Sequence, residues 1–464
     1  MREGPRFVAV IDIGKTNAKV VLHDLGERHD VDVRSMPNVV RQDGPYPHFD
    51  TDALFDFILD GLAAFASAHP IDAISITTHG AAITLVGETD LALPVLDYEA
   101  ELTNAEDYED VRPPFNETFS PPMANGLNVG WQLYWLQHHF PGEFAEVRYI
   151  LTYPQYWAYR LTGEAACEAT SLGCHTDLWA PERRDFSSLV DRMGWRDRFA
   201  PLRRPFDVIG RLKPEWAERI GVGERSIPVF CGLHDSNASL LPHLQSQRAP
   251  FAVVSTGTWV VSFSIGGHAA SLDASRNMLA YVDAFGRPVP STLFMGGREF
   301  DLLTGRVPAE PSEAAIGRTV DGGVMVLPAI ARGTGPFPNA EGGWSVSETD
   351  LSSEERTAAA SLYVALMTSE SLQLIGADGP VVVEGPFARN ALFLRALGLL
   401  VGRPIFAPTH GTGTSAGAAL LALGPGDPQT GGPSEAAVPA APIPGLAAYA
   451  ARWREHVRER RSGR

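Results

Sequence analysis

Lysine is almost missing from this 464-residue chain. Three of its 38 Lys/Arg residues are lysines, namely Lys15, Lys19 and Lys213, and all the others are arginines. Cysteine is just as scarce. Cys167, Cys174 and Cys231 are too few for a disulfide framework, show no metal-ligand spacing, and read as small buried side chains. Positive charge is short overall: the net charge of −17 argues against nucleic acid, whose recognition wants a basic face. The one dense basic stretch is the tail from Arg452 to Arg464. Long apolar runs are absent too, and Met1 is followed by neither a signal-peptide nor a membrane-helix pattern. A reduced, cytoplasmic enzyme is expected, monomer or homodimer, with small-molecule partners rather than nucleic acid or membrane.

What is present describes a globular protein: 44% hydrophobic and 20% charged residues. The length makes two large domains the default. Two of the three lysines fall in one stretch, Phe7 to Asp24 (FVAVIDIGKTNAKVVLHD), which reads strand, turn, strand. A glycine turn followed by a strand is neither a Walker nor a Rossmann site. It can still hold an anion, because glycine brings backbone N–H groups close to phosphate oxygens, with Lys15 and Thr16 adding a cation and a hydroxyl. Alternatively it is an ordinary hairpin with a polar tip.

The pattern returns at Phe251 to Ile265 (FAVVSTGTWVVSFSI), around Ser255-Thr256-Gly257-Thr258. Two such hairpins, each opening about half of the chain, suggest a duplicated architecture that could clamp a polyphosphate. The polar break Leu244–Pro250 sets the expected boundary, giving domains 1–245 and 246–464. Thr78-His79-Gly80 sits where the chain leaves a buried strand, a place where ligands are met. Leu91 to Pro122 is a long, acidic, irregular segment that includes Asp97. The spacing predicts helices over 52–68, 128–140 and 356–375, with Thr51 or Asp52 as the first N-cap. The stretch Val229 to Leu241 (VFCGLHDSNASLL) runs from a short strand into His234-Asp235-Ser236 at a helix start, with an N-cap as its bland reading. Val381 to Pro408 reads strand, tight turn at Glu384-Gly385-Pro386, helix and strand. Gly411-Thr412-Gly413-Thr414 then opens a small-residue helix, which could form a slot for a flat adenine.

Taken together, these stretches resemble the FGGY carbohydrate kinases, of the superfamily that joins sugar kinases, heat-shock chaperones and actin. Asp12-Ile13-Gly14-Lys15-Thr16-Asn17 is similar to the family's first phosphate motif and Ser255-Thr256-Gly257-Thr258 to the second. Gly385, Asn390 and Gly413 are similar to the adenosine motif, and Gly232-Leu233-His234-Asp235 to the segment carrying the catalytic base. The resemblance spans nearly the whole chain. It implies an α/β fold of two ribonuclease H-like (actin-like ATPase) domains with a central interdomain cleft. Lys15 stands where many members have threonine or serine, Glu384-Gly385-Pro386 replaces a glycine pair, and a Trp-x-Asp-x-Arg stretch is replaced by Leu96-Asp97-Tyr98-Glu99. Thr78-His79-Gly80 and His234-Asp235 look most like rhamnulokinase and fuculokinase relatives.

The implied reaction moves the γ-phosphoryl group of ATP to a hydroxyl of a ketose, a deoxy-ketohexose such as L-rhamnulose or L-fuculose. Alternatives are a kinase for another ketose or polyol of the xylulose, ribulose or glycerol type, or a non-kinase actin- or chaperone-like ATPase. Asp235 is the expected general base, and Asp12 with Asp235 the expected holder of Mg²⁺. Gly14, Lys15, Thr16, Asn17, Thr256, Gly257, Thr258, Gly385, Asn390 and Gly413 are expected on the nucleotide. His79, Gly80, Asp97 and His234 are expected on the sugar, with domain closure excluding water.

Overall fold

The computed structural model describes residues 4–102, 107–268, 271–305, 307–408, 413–426 and 435–462. Two compact units emerge. The first holds residues 1–246 with 280–288 and 412–432, and the second holds 247–279, 289–411 and 433–464. The boundary expected from the sequence keeps everything after residue 245 together. In the structure two segments of that half pack with the first unit, where their apolar side chains find cover. Ala284, Ala418, Ala419 and Leu421 join one buried cluster with Val8, Val10 and Ala238.

The first unit is built on a sheet ordered Val208–Arg211, Pro228–Phe230, Ala73–Thr78, Phe7–Ile13, Asn17–Asp24, His29–Pro37, with Leu233–His234 also pairing Ala73–Thr78. Phe7–Ile13 and Asn17–Asp24 form the expected antiparallel hairpin, and Ala73–Thr78 runs parallel beside the first of them. Alternation along a strand exposes one face to each cover layer. Helix Thr51–Ala68 covers one face, burying Leu54, Ile58, Leu62 and Phe65 against Val20 and Leu22. Each such aliphatic side chain contributes about 1.5–3 kcal/mol on burial. Its N-cap is Asp50, whose carboxylate accepts from Ala53 N at 3.0 Å, rather than Thr51 or Asp52. Asp50 holds a non-helical ψ of 84° and Thr51 already opens the helix. Ile83–Val86 does not fold back on Ala73–Thr78; it pairs with Leu91–Leu93 and Tyr149–Thr152 in a separate sheet.

The second unit repeats the plan. Its sheet runs Pro288–Phe294, Val260–Ile265, Phe251–Thr256, Val381–Glu384, Ile405–Pro408, Glu435–Ala437. The hairpin Phe251–Thr256/Val260–Ile265 is antiparallel, and Val381–Glu384 lies parallel beside it, as Ala73–Thr78 does beside the first hairpin. Helix Ser353–Leu374 is buried along most of its length and starts at a capping box of Ser352 and Glu355. No helix among the described residues is long and apolar enough to cross a membrane.

Candidate active site

The first hairpin ends in a tight turn, with Gly14 N donating to Asn17 O at 2.9 Å and Thr16 and Asn17 exposed at the tip. Asp12 stands at the strand end directly across from Lys19. Its carboxyl is pushed up to about 6: burial is the main cause, Asp235's charge adds to it, and the Ser415 hydroxyl (3.0 Å) and Lys19 oppose it. Lys15 does not reach out of the turn. Its ammonium donates to Asp97 Oδ1, lies 3.5 Å from Glu99 Oε2, and sits 5.0 Å from the ring centroids of both Phe49 and Tyr98. The expectation that Lys15 holds phosphate and Asp97 a sugar hydroxyl therefore meets a different arrangement. Asp97 is nearly buried, and a buried carboxylate needs a counter-charge; Lys15 provides it.

Strand Ala73–Thr78 delivers His79 into an aromatic cage, with ring centroids 5.2 Å from Phe49, 5.2 Å from Tyr153 and 5.7 Å from Tyr98. His79 Nδ1 donates to Gly80 O at 2.7 Å, so its Nε2 is the lone-pair nitrogen; that atom is buried and has no protein partner. Burial holds His79 neutral, its pKa lowered to about 4. Gly80 permits a close approach: a Cβ there would stand 2.7 Å from His234 Nε2 and 3.0 Å from Cys174 Sγ. Ala81 follows at φ 54°, the left-handed region, and Gln132 Nε2 donates to its carbonyl at 2.7 Å.

His234 and Asp235 arrive on the strand Leu233–His234 and the helix Asp235–Ser246. The His234 backbone N–H donates to Thr170 Oγ1 at 3.0 Å, and Thr170 is held by the buried Glu168. His234 Nε2 lies 3.1 Å from Asp235 Oδ1, and its Nδ1 is buried without a hydrogen-bond partner. Burial lowers the His234 pKa to about 3. The Asp235 side chain keeps 33% of its surface exposed. Loss of water raises its pKa, with His79 and the Ser236 N–H (2.6 Å) opposing. Cys174 Sγ is 3.5 Å from His234 Nε2 and hydrogen bonds with Tyr281, whose ring lies 6.0 Å from that of His234 at 18°.

Asp12 and Asp235 are the two carboxylates expected to hold a divalent cation. Both carry carboxylates disfavoured by burial, and Asp12 has no Lys or Arg ion-pair partner among the described residues. No cluster of three or more His, Cys, Asp or Glu side chains able to hold a metal occurs among the described residues. Such a sparse donor set suits Mg²⁺, which keeps several waters and takes one or two carboxylates plus phosphate oxygens.

In the second unit the turn after Phe251–Thr256 is fixed from inside. Thr256 Oγ1 donates to Glu384 O and accepts from Phe387 N at 3.1 Å, so this hydroxyl, expected on phosphate, is spent on the turn. Gly385 has φ 79°, and a Cβ on it would stand 1.9 Å from Thr256 O. Asn390 caps helix Ala391–Val401 through Phe393 N at 2.9 Å and donates to Ser361 Oγ at 3.0 Å. A cavity of about 1120 Å³ opens beside these residues, lined by Gly257, Thr258, Phe300, Asn390, Leu394 and Pro408 among others. Gly413 belongs to the first unit, at the start of helix Thr414–Ala419.

A model of the N-terminal domain of the FGGY family of carbohydrate kinases matches residues 7–242, and one of the FGGY carbohydrate kinase C-terminal domain matches 248–430. The chain belongs to the FGGY family of carbohydrate kinases. A carbohydrate kinase from Novosphingobium aromaticivorans has a crystal structure with TM-score 0.88 and 36% identity, covering 98% of this chain and 99% of that one. A xylulose kinase from Lactobacillus acidophilus, 17% identical, shares the fold at TM-score 0.81 over 98% of each chain. The FGGY fold of two actin-like ATPase domains is thus the fold of this chain. A rhamnulokinase from Halalkalibacterium halodurans is 25% identical over 271 residues, 54% of this chain and 55% of the relative. The chain spans about half the length of the curated relatives it matches.

Several residues of this FGGY site had no signal in the sequence. Cys174 reads as a buried thiol, Tyr281 comes from the other half of the chain, and Ser415 sits among alanines and glycines. Tyr98 and Gln132 were visible as aromatic and polar residues in the right segments, without a pattern assigning them a partner.

Proposed function

We propose that this FGGY family member transfers the γ-phosphoryl group of ATP to a hydroxyl of a ketose, and that the ketose is a deoxy-ketohexose such as L-rhamnulose or L-fuculose. The observation that carries a sugar acceptor is the pair of buried, unpartnered imidazole nitrogens, His79 Nε2 and His234 Nδ1, beside the one-third-exposed Asp235 carboxylate. Buried polar nitrogens without partners are costly, and the hydroxyls of a polyol can donate or accept at both. The partial match to a rhamnulokinase supports the choice among ketoses.

In this reading Asp235 takes the proton of the attacking hydroxyl. Its raised pKa strengthens it as a base. The Ser236 N–H already holds Oδ1, leaving the second carboxylate oxygen for the substrate. Neutral His79 orients a sugar hydroxyl by accepting from it, neutral His234 hydrogen bonds a second, and Gly80 keeps the space between them open. Bound Mg²⁺, held by Asp12 and Asp235, would neutralise charge on the phosphates. Gly14, Thr16, Asn17, Gly257 and Thr258 present backbone and hydroxyl groups to the nucleotide. Gly385, Asn390 and Gly413 shape its adenosine end. Residues 1–245 thus handle sugar and base chemistry, and 246–464 most of the nucleotide. Three free, buried thiols accord with a reducing cytoplasmic setting.

An ATP-coupled activity screen over deoxy-ketohexoses, other ketohexoses, ketopentoses and polyols tests this. Turnover on a deoxy-ketohexose supports the full proposal. Turnover confined to pentuloses or polyols overturns the choice of sugar, and ATP hydrolysis that no sugar stimulates overturns the kinase reading.

A further inference from the structure

The first hairpin's turn is held from behind by Asn38, a residue outside every motif named above. Asn38 follows strand His29–Pro37, which pairs with Asn17–Asp24, so it reaches the turn from the neighbouring strand. Its backbone N–H donates to Thr16 O at 2.9 Å, and its side-chain Nδ2 donates to Gly14 O at 2.9 Å. A carbonyl only accepts, so the contact to Gly14 O fixes which end of the carboxamide is nitrogen. Oδ1 is buried and has no hydrogen-bond partner among the described residues. The one side-chain hydrogen bond of this buried residue therefore goes to the turn.

The ordinary explanation is that a strand end ties down whatever turn lies beside it. The backbone bond from Asn38 to Thr16 needs no more than that. The side-chain bond does more. A four-residue turn commonly closes with its first carbonyl accepting from the fourth N–H. Here Gly14 N donates to Asn17 O at 2.9 Å, but Gly14 O takes its hydrogen bond from Asn38 and not from Asn17 N. The peptide bonds of the turn are trans, and a trans peptide points its C=O and N–H in opposite directions. With the carbonyls of Gly14 and Thr16 both drawn to Asn38, the N–H groups of Lys15 and Asn17 face the other way. N–H groups bared on one side of a turn make an anion-binding concavity. They matter the more because the Lys15 ammonium is spent on Asp97.

We propose, on the reading that this turn holds phosphate, that Asn38 is a positioning residue for the nucleotide. By holding the carbonyls of Gly14 and Thr16 it aims the Lys15 and Asn17 N–H groups at phosphate oxygens. Asn38 itself touches no substrate, so its loss should act on the phosphates and leave adenosine alone.

The test is calorimetric titration of the full chain with ATP and, separately, with adenosine. Asn38→Ala should weaken ATP binding about tenfold while adenosine binding changes by less than about twofold. Asn38→Asp keeps the side chain's shape but sets an acceptor against Gly14 O; it should weaken ATP in the same direction and guards against a misfolded alanine variant. A merely structural loss would lower both affinities together. ATP affinity equal to wild type in both variants, or ATP and adenosine weakened equally, overturns the role. Gly14→Ala separates this from the underlying reading, because a Cβ there would stand 2.9 Å from Asn17 O and disturb the turn itself. If Gly14→Ala weakens ATP selectively and the Asn38 variants do not, the role of Asn38 falls and the phosphate turn stands. If none of the three variants does so, both fall.

Discussion

Lys15 and Asp97 form an ion pair across 82 residues of sequence, with side-chain exposures of 17% and 9%. The pair ties the first hairpin's turn to the acidic segment that approaches His79. Removing one partner leaves an uncompensated, poorly hydrated charge. Lys15→Met and Asp97→Asn should each destabilise the protein by about 1–3 kcal/mol, and the double variant by less than their sum. Urea unfolding of all four proteins measures this coupling.

Asp12 and the buried histidines should give stability opposite pH dependences. Asp12's folded-state pKa of about 6 exceeds its ordinary 3.8, so the folded protein resists losing that proton. The cost is absent below the unfolded value and complete above about 6. Asp12→Asn should therefore melt at a higher temperature than wild type at pH 8, with the gap closing towards pH 4, while losing turnover. Magnesium should raise the wild-type melting temperature more than the variant's.

His79, His175 and His234 run the other way. Their folded-state values, about 4, 4 and 3, lie below the ordinary 6.5, so the unfolded chain binds more protons on acidification. Stability is lost as pH falls from 6.5 towards 4, at up to about 1.4 kcal/mol per pH unit for each histidine. Replacing His79 by asparagine should flatten the acid limb of a stability–pH curve. The same variant should raise the sugar KM about 10–100-fold, with the ATP KM little changed.

Gly385→Ala puts a methyl group against Thr256 O at a φ of 79°. Strain and overlap together should cost about 2–4 kcal/mol, read by thermal unfolding, and should weaken ADP binding because the turn proposed to shape the adenosine end must move.

The hairpins were legible because β-branched runs broken by a polar glycine turn leave few alternatives. The site was legible where chemistry and position coincide in one short segment, as in His234-Asp235. Partners brought together by tertiary folding were not. Nothing local tells Lys15 to turn towards Asp97, or brings Tyr281 onto Cys174. Nor does anything local spend the Thr256 hydroxyl on Glu384. Burial decides these, because a polar group withdrawn from water takes the nearest partner the fold offers.

Turnover of Asp235→Asn on the sugar that the screen identifies tests the central claim most directly, because the amide keeps the side chain's shape and removes its basicity. A fall in kcat of about 10²- to 10⁴-fold is predicted, with sugar binding by calorimetry retained. Near wild-type turnover in that variant would contradict the account.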